Sequence, residues 1–167
     1  MTSVTREQQA TGERGPFEEI ERAIMQISWL GQRQLMQLLD DERFRMTLPQ
    51  FYTLLSLHQH GEPLMMSDLA DATQQSAASL TGVVDRLVDK KLVERSRPDK
   101  DRRKVVVGVS ARGHELISEI KQARRDEMQA ALAQLGEAEI ETLILLLDRV
   151  LAGMVRVVDS GDSGQVA

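Results

Sequence analysis

Apolar residues recur at steps of three and four along most of this chain and give way to short β-prone runs only near its middle, a pattern of helices around one hairpin. Pro16 suits the first turn of a helix reaching about Leu39. Ile20, Ile24, Ile27, Leu35 and Leu38 form one stripe of it, and Met25, Trp29 and Met36 lie on the opposite side. A helix apolar on two faces has to be covered twice, either by another subunit or by the rest of a monomeric bundle. Thr47-Leu48-Pro49-Gln50 reads as a capping box opening a second helix through His60, with Gly61 as its stop. After Pro63, Leu64 to Met66 is a short strand, Ser67 is expected to cap a brief helix over Asp68 to Ala72, and Thr73 to Gln75 is a turn.

Ser76 is placed to cap the next helix, which runs to Lys90. Ala77, Leu80, Val84 and Leu87, flanked by Val83 and Val88, make its buried side. Gln75, Ser79, Gly82, Arg86 and Lys90 share a different side. They are small or hydrogen-bonding, as the exposed face of a helix lying in a DNA major groove must be. Ser67 to Lys90 therefore has the proportions of a helix-turn-helix. Behind it, Leu92 to Ser96 and Lys104 to Val109 are β-prone runs on either side of a charged tip, a wing. Ser110 caps a fifth helix reaching about Leu135, and Glu137 opens a sixth. In the sixth, Ile140, Leu143, Leu147, Val150, Met154 and Val157 make a heptad-like seam widened by Ile144, Leu151 and Val158, more than one neighbouring helix would cover.

Charge sharpens the middle of this picture. Arg86 to Lys104 holds nine Lys or Arg against four Asp or Glu, in a chain of net charge −5. A basic surplus confined to one helix end and one hairpin of an acidic protein points to phosphates, although a solvated charged hairpin would show the same run. The 41% hydrophobic fraction with only 3% aromatics and eight Met fits a mainly helical protein. The absence of Cys excludes a disulfide framework, a thiolate zinc site and a cysteine switch, and fits a cytoplasmic location. Residues 1–15 are polar, no apolar run has membrane-span length, and a soluble protein without a standard export signal is expected.

The residues Leu80-Thr81-Gly82-Val83-Val84-Asp85-Arg86-Leu87, Leu92-Val93-Glu94-Arg95, Asp101-Arg102-Arg103 and Val109-Ser110-Ala111-Arg112-Gly113 resemble, in order and spacing, the signature pieces of the MarR family of winged-helix transcription regulators. The resemblance covers about Phe17 to Val158. It implies a homodimer on a pseudo-palindromic double-stranded operator, usually a repressor released by a small molecule. Asp101 and Arg103 match the family's Asp-x-Arg element, in which the arginine reaches the minor groove or its phosphates and the aspartate orients an arginine. Lys91 departs from the pattern, standing where the family commonly has Gly just past the recognition helix, so the helix exit is expected to differ locally.

The resulting expectation is a mainly α protein: a winged helix-turn-helix with a small β-hairpin wing, plus a dimerisation region of N- and C-terminal helices. Its parts are a flexible tail (1–15), an N-terminal dimerisation helix (16–46), a DNA-binding lobe (47–110), C-terminal dimerisation helices (111–158) and a second flexible tail (159–167). Expected DNA contacts are Gln75, Ser76, Ser79, Thr81, Arg86, Arg95, Arg97, Asp101, Arg102, Arg103 and Lys104, with Ser76 acting chiefly as a cap. Ile20, Ile24, Ile140, Leu143, Leu147, Val150, Met154 and Val157 are assigned to the dimer interface. The resemblance places an effector pocket where the dimerisation helices meet the DNA-binding lobe. Met25, Trp29, Met36 and Tyr52 are the candidates there, suited to a small aromatic or lipophilic effector unless they are simply core. No phosphate loop, nucleophile elbow or catalytic constellation is visible, and neither enzyme activity, cofactor nor metal is assigned. His58, His60 and His114 read as ordinary surface or interface residues, with a histidine–carboxylate zinc site as the alternative. The rival to DNA binding is a winged helix used as a protein-interaction adaptor.

Overall fold

The computed structural model describes residues 15–97 and 104–162, the side chains of the last four excepted. The elements in chain order are α1 (Pro16–Asp40), α2 (Leu48–His60), β1 (Leu64–Met65), α3 (Met66–Thr73), α4 (Ala77–Asp89), β2 (Val93–Ser96), β3 (Val106–Val109), α5 (Ala111–Ala131) and α6 (Glu137–Asp162). The chain divides into two units between Ile120 and Lys121, within α5.

In the first unit only the last third of α1 is tucked in, through Leu35, Leu38 and Leu39. The turn after it is held by Asp41, whose carboxylate accepts from the Arg43 backbone amide at 2.9 Å and from its guanidinium at 3.0 Å. Those hydrogen bonds lower the pKa of Asp41. Phe44 and Met46 plug the turn into the core. The capping box is present in both directions: Thr47 Oγ1 accepts from the Gln50 amide, and Gln50 Oε1 accepts from the Thr47 amide. Gly61 closes α2 at φ 78, a conformation that suits glycine.

The core of this unit gathers Leu54 and Leu57 of α2, Leu69 of α3, Leu80, Val84 and Leu87 of α4, Val93 and Val107 of the sheet, and Ile117 and Ile120 of α5. Its three-stranded antiparallel sheet has the order β1-β3-β2, with Leu64 opposite Val107 and Val93 opposite Val109. Ser110 caps α5 as expected, its Oγ accepting from the Gly113 amide at 3.0 Å and donating to the Lys91 carbonyl at 2.7 Å. Gly113 is forced by space, because a Cβ there would lie 2.2 Å from the Leu92 carbonyl oxygen.

Three expectations are corrected. Ser67 caps nothing: β1 pairs with β3 only as far as Met65, α3 begins at Met66 without a side-chain cap, and the Ser67 hydroxyl, already inside the helix, donates to Asp68. Helix α5 ends at Ala131 rather than Leu135, where tight bonds such as Leu135 N–H to Leu132 O replace the helical ladder. The exit of α4 does not differ in shape from the glycine-ended one. Lys91 adopts φ 59, its amide bonds the Val88 carbonyl at 2.8 Å and the Leu92 amide bonds the Leu87 carbonyl at 2.9 Å. This is a Schellman closure made with lysine, at a backbone cost of about 1 kcal/mol. Gln74, φ 52, closes α3 in the same way.

The second unit comprises the end of α5, a short turn and α6. Glu139 reaches back to accept from the Gly136 amide at 2.8 Å, starting α6. Ile140 and Leu143 are half-buried, while Leu147, Val150, Met154 and Val157 are exposed.

Candidate nucleic-acid interface

Helix α4 is fixed at both ends and by its back. Ser76 Oγ accepts from the Ser79 amide at 3.2 Å, and Leu80, Val83, Val84 and Leu87 bury one side. The other side leaves Ser79, Gly82 and Arg86 exposed in a row of helical spacing, and apart from its chain neighbours and the helix's own backbone no described atom lies within 4 Å of where a Gly82 Cβ would stand. That is a narrow, open ridge with one cation towards its end. Thr81 is exposed too, but its hydroxyl donates to the Ala77 carbonyl at 2.8 Å, which leaves the oxygen as an acceptor only.

The two ends of the expected face are engaged by the protein itself instead, Gln75 half-buried and Lys90 exposed but hydrogen-bonded. Gln75 Nε2 donates to the buried Thr53 hydroxyl of α2 at 2.9 Å, and its Oε1 is buried without a hydrogen-bond partner among the described residues, so this side chain ties the turn to α2. Lys90 donates to the Arg45 carbonyl and reaches Gln50 Oε1 at 3.4 Å. Burial and then the charge of Arg45 lower its pKa. Periodicity could not separate these two from Ser79 and Arg86, because all four share one wheel position; the polar acceptors at Thr53 and Gln50 were the only available signal.

In the wing, β2 presents Glu94, Arg95 and Ser96 to solvent, and Arg97 and Lys104 are exposed at the ends of its described parts. Arg95 is bound 2.6 Å from Asp85 of α4. Asp101, Arg102 and Arg103 lie outside the described residues. Exposed cations at Arg86, Arg95, Arg97 and Lys104 thus accompany an uncluttered helix face, which suits a helix laid in a groove with flanking phosphate contacts.

The other expected residues are placed as follows. Met25, Trp29, Met36 and Tyr52 are all exposed, Trp29 beneath the Arg33 guanidinium at 5.5 Å and Tyr52 beside Phe51. Of these only Met36 borders the cleft of about 540 Å³ between the end of α1 and the start of α2, whose other walls are Gln37, Leu39, Asp40, Met46, Thr47, Leu48 and Pro49. Sequence reasoning missed Met46 and Leu48, which sit in and beside the turn and carry no periodic signal. Ile20 is exposed and Ile24 half-buried. Among the described residues no three His, Cys, Asp or Glu side chains gather as metal ligands, and no helix is long and apolar enough to cross a membrane.

The model of the MarR family matches residues 46–104, from Met46 at the entry of α2 to Lys104 at the far side of the wing. The chain is 31% identical over 107 residues to the HTH-type transcriptional repressor NicR of Pseudomonas putida, covering 64% of this chain and 67% of that one. It is 30% identical to the HTH-type transcriptional repressor MdtR of Bacillus subtilis, over 59% of this chain and 63% of the relative. Among solved structures, a mutant of Staphylococcus aureus MepR bound to an oligodeoxyribonucleotide superposes with a TM-score of 0.64 at 25% identity, covering 84% of this chain and 99% of that one. A mutant of MarR from E. coli gives 0.65 at 28%, covering 79% and 96%.

Proposed function

Since the chain belongs to the MarR family, we propose that it is a cytoplasmic, non-enzymatic regulator that binds a pseudo-palindromic operator in double-stranded DNA as a homodimer and represses transcription until a small molecule releases it. The observation that carries this reading is the exposed ridge of Ser79, Gly82 and Arg86 on α4 beside a wing edged with Arg95, Arg97 and Lys104. Groove edges would meet the ridge, and phosphates the cations. The related MepR structure, in complex with an oligodeoxyribonucleotide, supports it.

Apolar surface supports the homodimer. Phe17, Ile20 and Ile27 of α1 are at least half exposed, and so are Ile144, Leu145, Leu151, Val157 and Val158 of α6, far more apolar area than a monomer leaves in water. Covering both helices with a second copy relieves that exposure and sets two α4 helices on one duplex. For the effector, the cleft beside Met36 offers Met46, Leu39 and Leu48 as apolar wall and Gln37, Asp40 and Thr47 as polar handles. An occupant shifts operator affinity only by the difference between its affinities for the binding and non-binding forms.

The test is fluorescence anisotropy of a labelled duplex from the promoter region beside the protein's own gene, at two salt concentrations. Tight binding that beats random duplex and weakens steeply with salt is the expected result. Equal affinity for both duplexes, or none, would leave an interaction adaptor as the better description.

A further inference from the structure

The imidazoles of His58 on α2 and His114 in the first turn of α5 face each other through their Nδ1 atoms at 2.9 Å, with the rings tilted 56° and their centroids 5.1 Å apart. The tilt aims the two nitrogens at each other's edge instead of stacking the ring faces. With no metal present, such a contact is an N–H···N hydrogen bond, which needs one ring as donor and the other as acceptor. It also has the dimensions of a chelate. A cation bonded at about 2.0 to 2.1 Å to two nitrogens in adjacent corners of a square or octahedron holds them about 2.9 Å apart. Tetrahedral zinc would spread them to about 3.3 Å.

We propose that His58 and His114 form a two-histidine site for a divalent transition metal of tetragonal preference, Ni²⁺ or Cu²⁺, that fastens α2 to the start of α5. Among the described residues no third His, Cys, Asp or Glu completes the group. From the neutral pair, binding needs no net proton release: the donor ring moves its proton from Nδ1 to Nε2, and both rings turn so that their Nδ1 lone pairs converge on the metal. Mg²⁺, which prefers carboxylates and water, is not expected to bind. His60, two residues along α2, points to another face and takes no part.

The partners stand on separate helices of one unit, so the metal cross-links the folded form and leaves the unfolded chain without a preformed site. Untagged protein titrated with NiCl2 is expected to gain about 5 °C in Tm. The gain should vanish in His58→Gln and in His114→Gln, persist in His60→Gln and be absent with MgCl2. On the wild-type protein, the electron paramagnetic resonance spectrum of added Cu²⁺ should show coupling to two imidazole nitrogens, a readout that does not depend on the stability of any variant. The site is overturned by a Ni²⁺ shift that survives both substitutions, by no shift at all, or by a Cu²⁺ spectrum without imidazole nitrogen.

Discussion

Arg95 on β2 and Asp85 on α4 are joined by an ion pair of 2.6 Å, so the wing strand is tied to the helix that carries the open ridge. Both side chains remain partly exposed, at 36% and 52%. Exposed pairs of this kind contribute under about 1 kcal/mol to stability. The effect on DNA binding should be larger. Asp85→Ala is expected to weaken operator binding severalfold with little change in Tm, and adding Arg95→Ala should cost no more than the larger single effect. Losses that simply add, in anisotropy titrations of the three variants, would show that Arg95 acts on DNA independently of Asp85.

Arg86 on the ridge and Arg103 of the wing are expected to matter for different reasons. Arg86→Ala should cost about 1 to 3 kcal/mol of operator affinity and narrow the gap between specific and random duplex. Arg103→Ala should cost a similar amount, mainly through phosphates, and flatten the dependence on salt by about one unit of slope. Unchanged binding by both at moderate salt would mean that another surface holds the DNA.

Two glycines separate folding from binding. Gly113→Ala drives a Cβ to 2.2 Å from a backbone oxygen and should destabilise by about 3 kcal/mol or more, read as a fall in the urea midpoint. Gly82→Ala meets no side chain among the described residues and should stabilise α4 by up to about 1 kcal/mol. If the ridge lies against base pairs, that same stabilised variant binds operator less well. A Gly82→Ala protein with undiminished affinity would place the groove elsewhere.

Lys91→Gly relieves the left-handed conformation at the exit of α4 and should raise stability by about 0.5 to 1 kcal/mol, offset in part by the freer unfolded chain. Chemical denaturation resolves a change of that size. A loss of stability would mean that the Lys91 side chain contributes more than its backbone costs.

Replacing Leu147 and Met154 together by Asp places charge in the apolar seam of α6 and should yield monomers that fail to hold operator. Sedimentation of wild type and variant checks both halves of this. A well-folded wild-type monomer would remove the dimer from the proposal. Trp29, exposed on α1, reports on the effector: small aromatic acids that release DNA should change its fluorescence at the same concentrations. Release without any change at Trp29 would assign the effector to the Met36 cleft alone.

How far the fold was legible follows from the kind of signal each residue carries. Thr47, Gln50, Gly61, Ser76 and Ser110 act within three or four residues of themselves, and each cap or stop is where its local chemistry puts it. The core stripe of α4 is likewise a matter of period. Ser67 misled because a strand pairing some forty residues away, at Val106, decides where α3 starts. A helical wheel shows direction but not the acceptors, Thr53 and the Arg45 carbonyl, that engage Gln75 and the exposed Lys90. The facing of His58 and His114 spans 56 residues and left no trace in spacing.

The central strand has one more consequence. β3 is paired on one edge with β2 of the hairpin and on the other with β1, and β1 runs without a break into α3. The hairpin is therefore stitched to the first helix of the helix-turn-helix through backbone bonds rather than through side chains alone. Such a stitched body is expected to open as one unit. In native-state hydrogen exchange, the paired amides of β3 and the central amides of α4 should report one shared opening free energy, well above that of the first turns of α1. The described strands of the hairpin are then expected to let go only together with the helix-turn-helix to which their backbone is bonded.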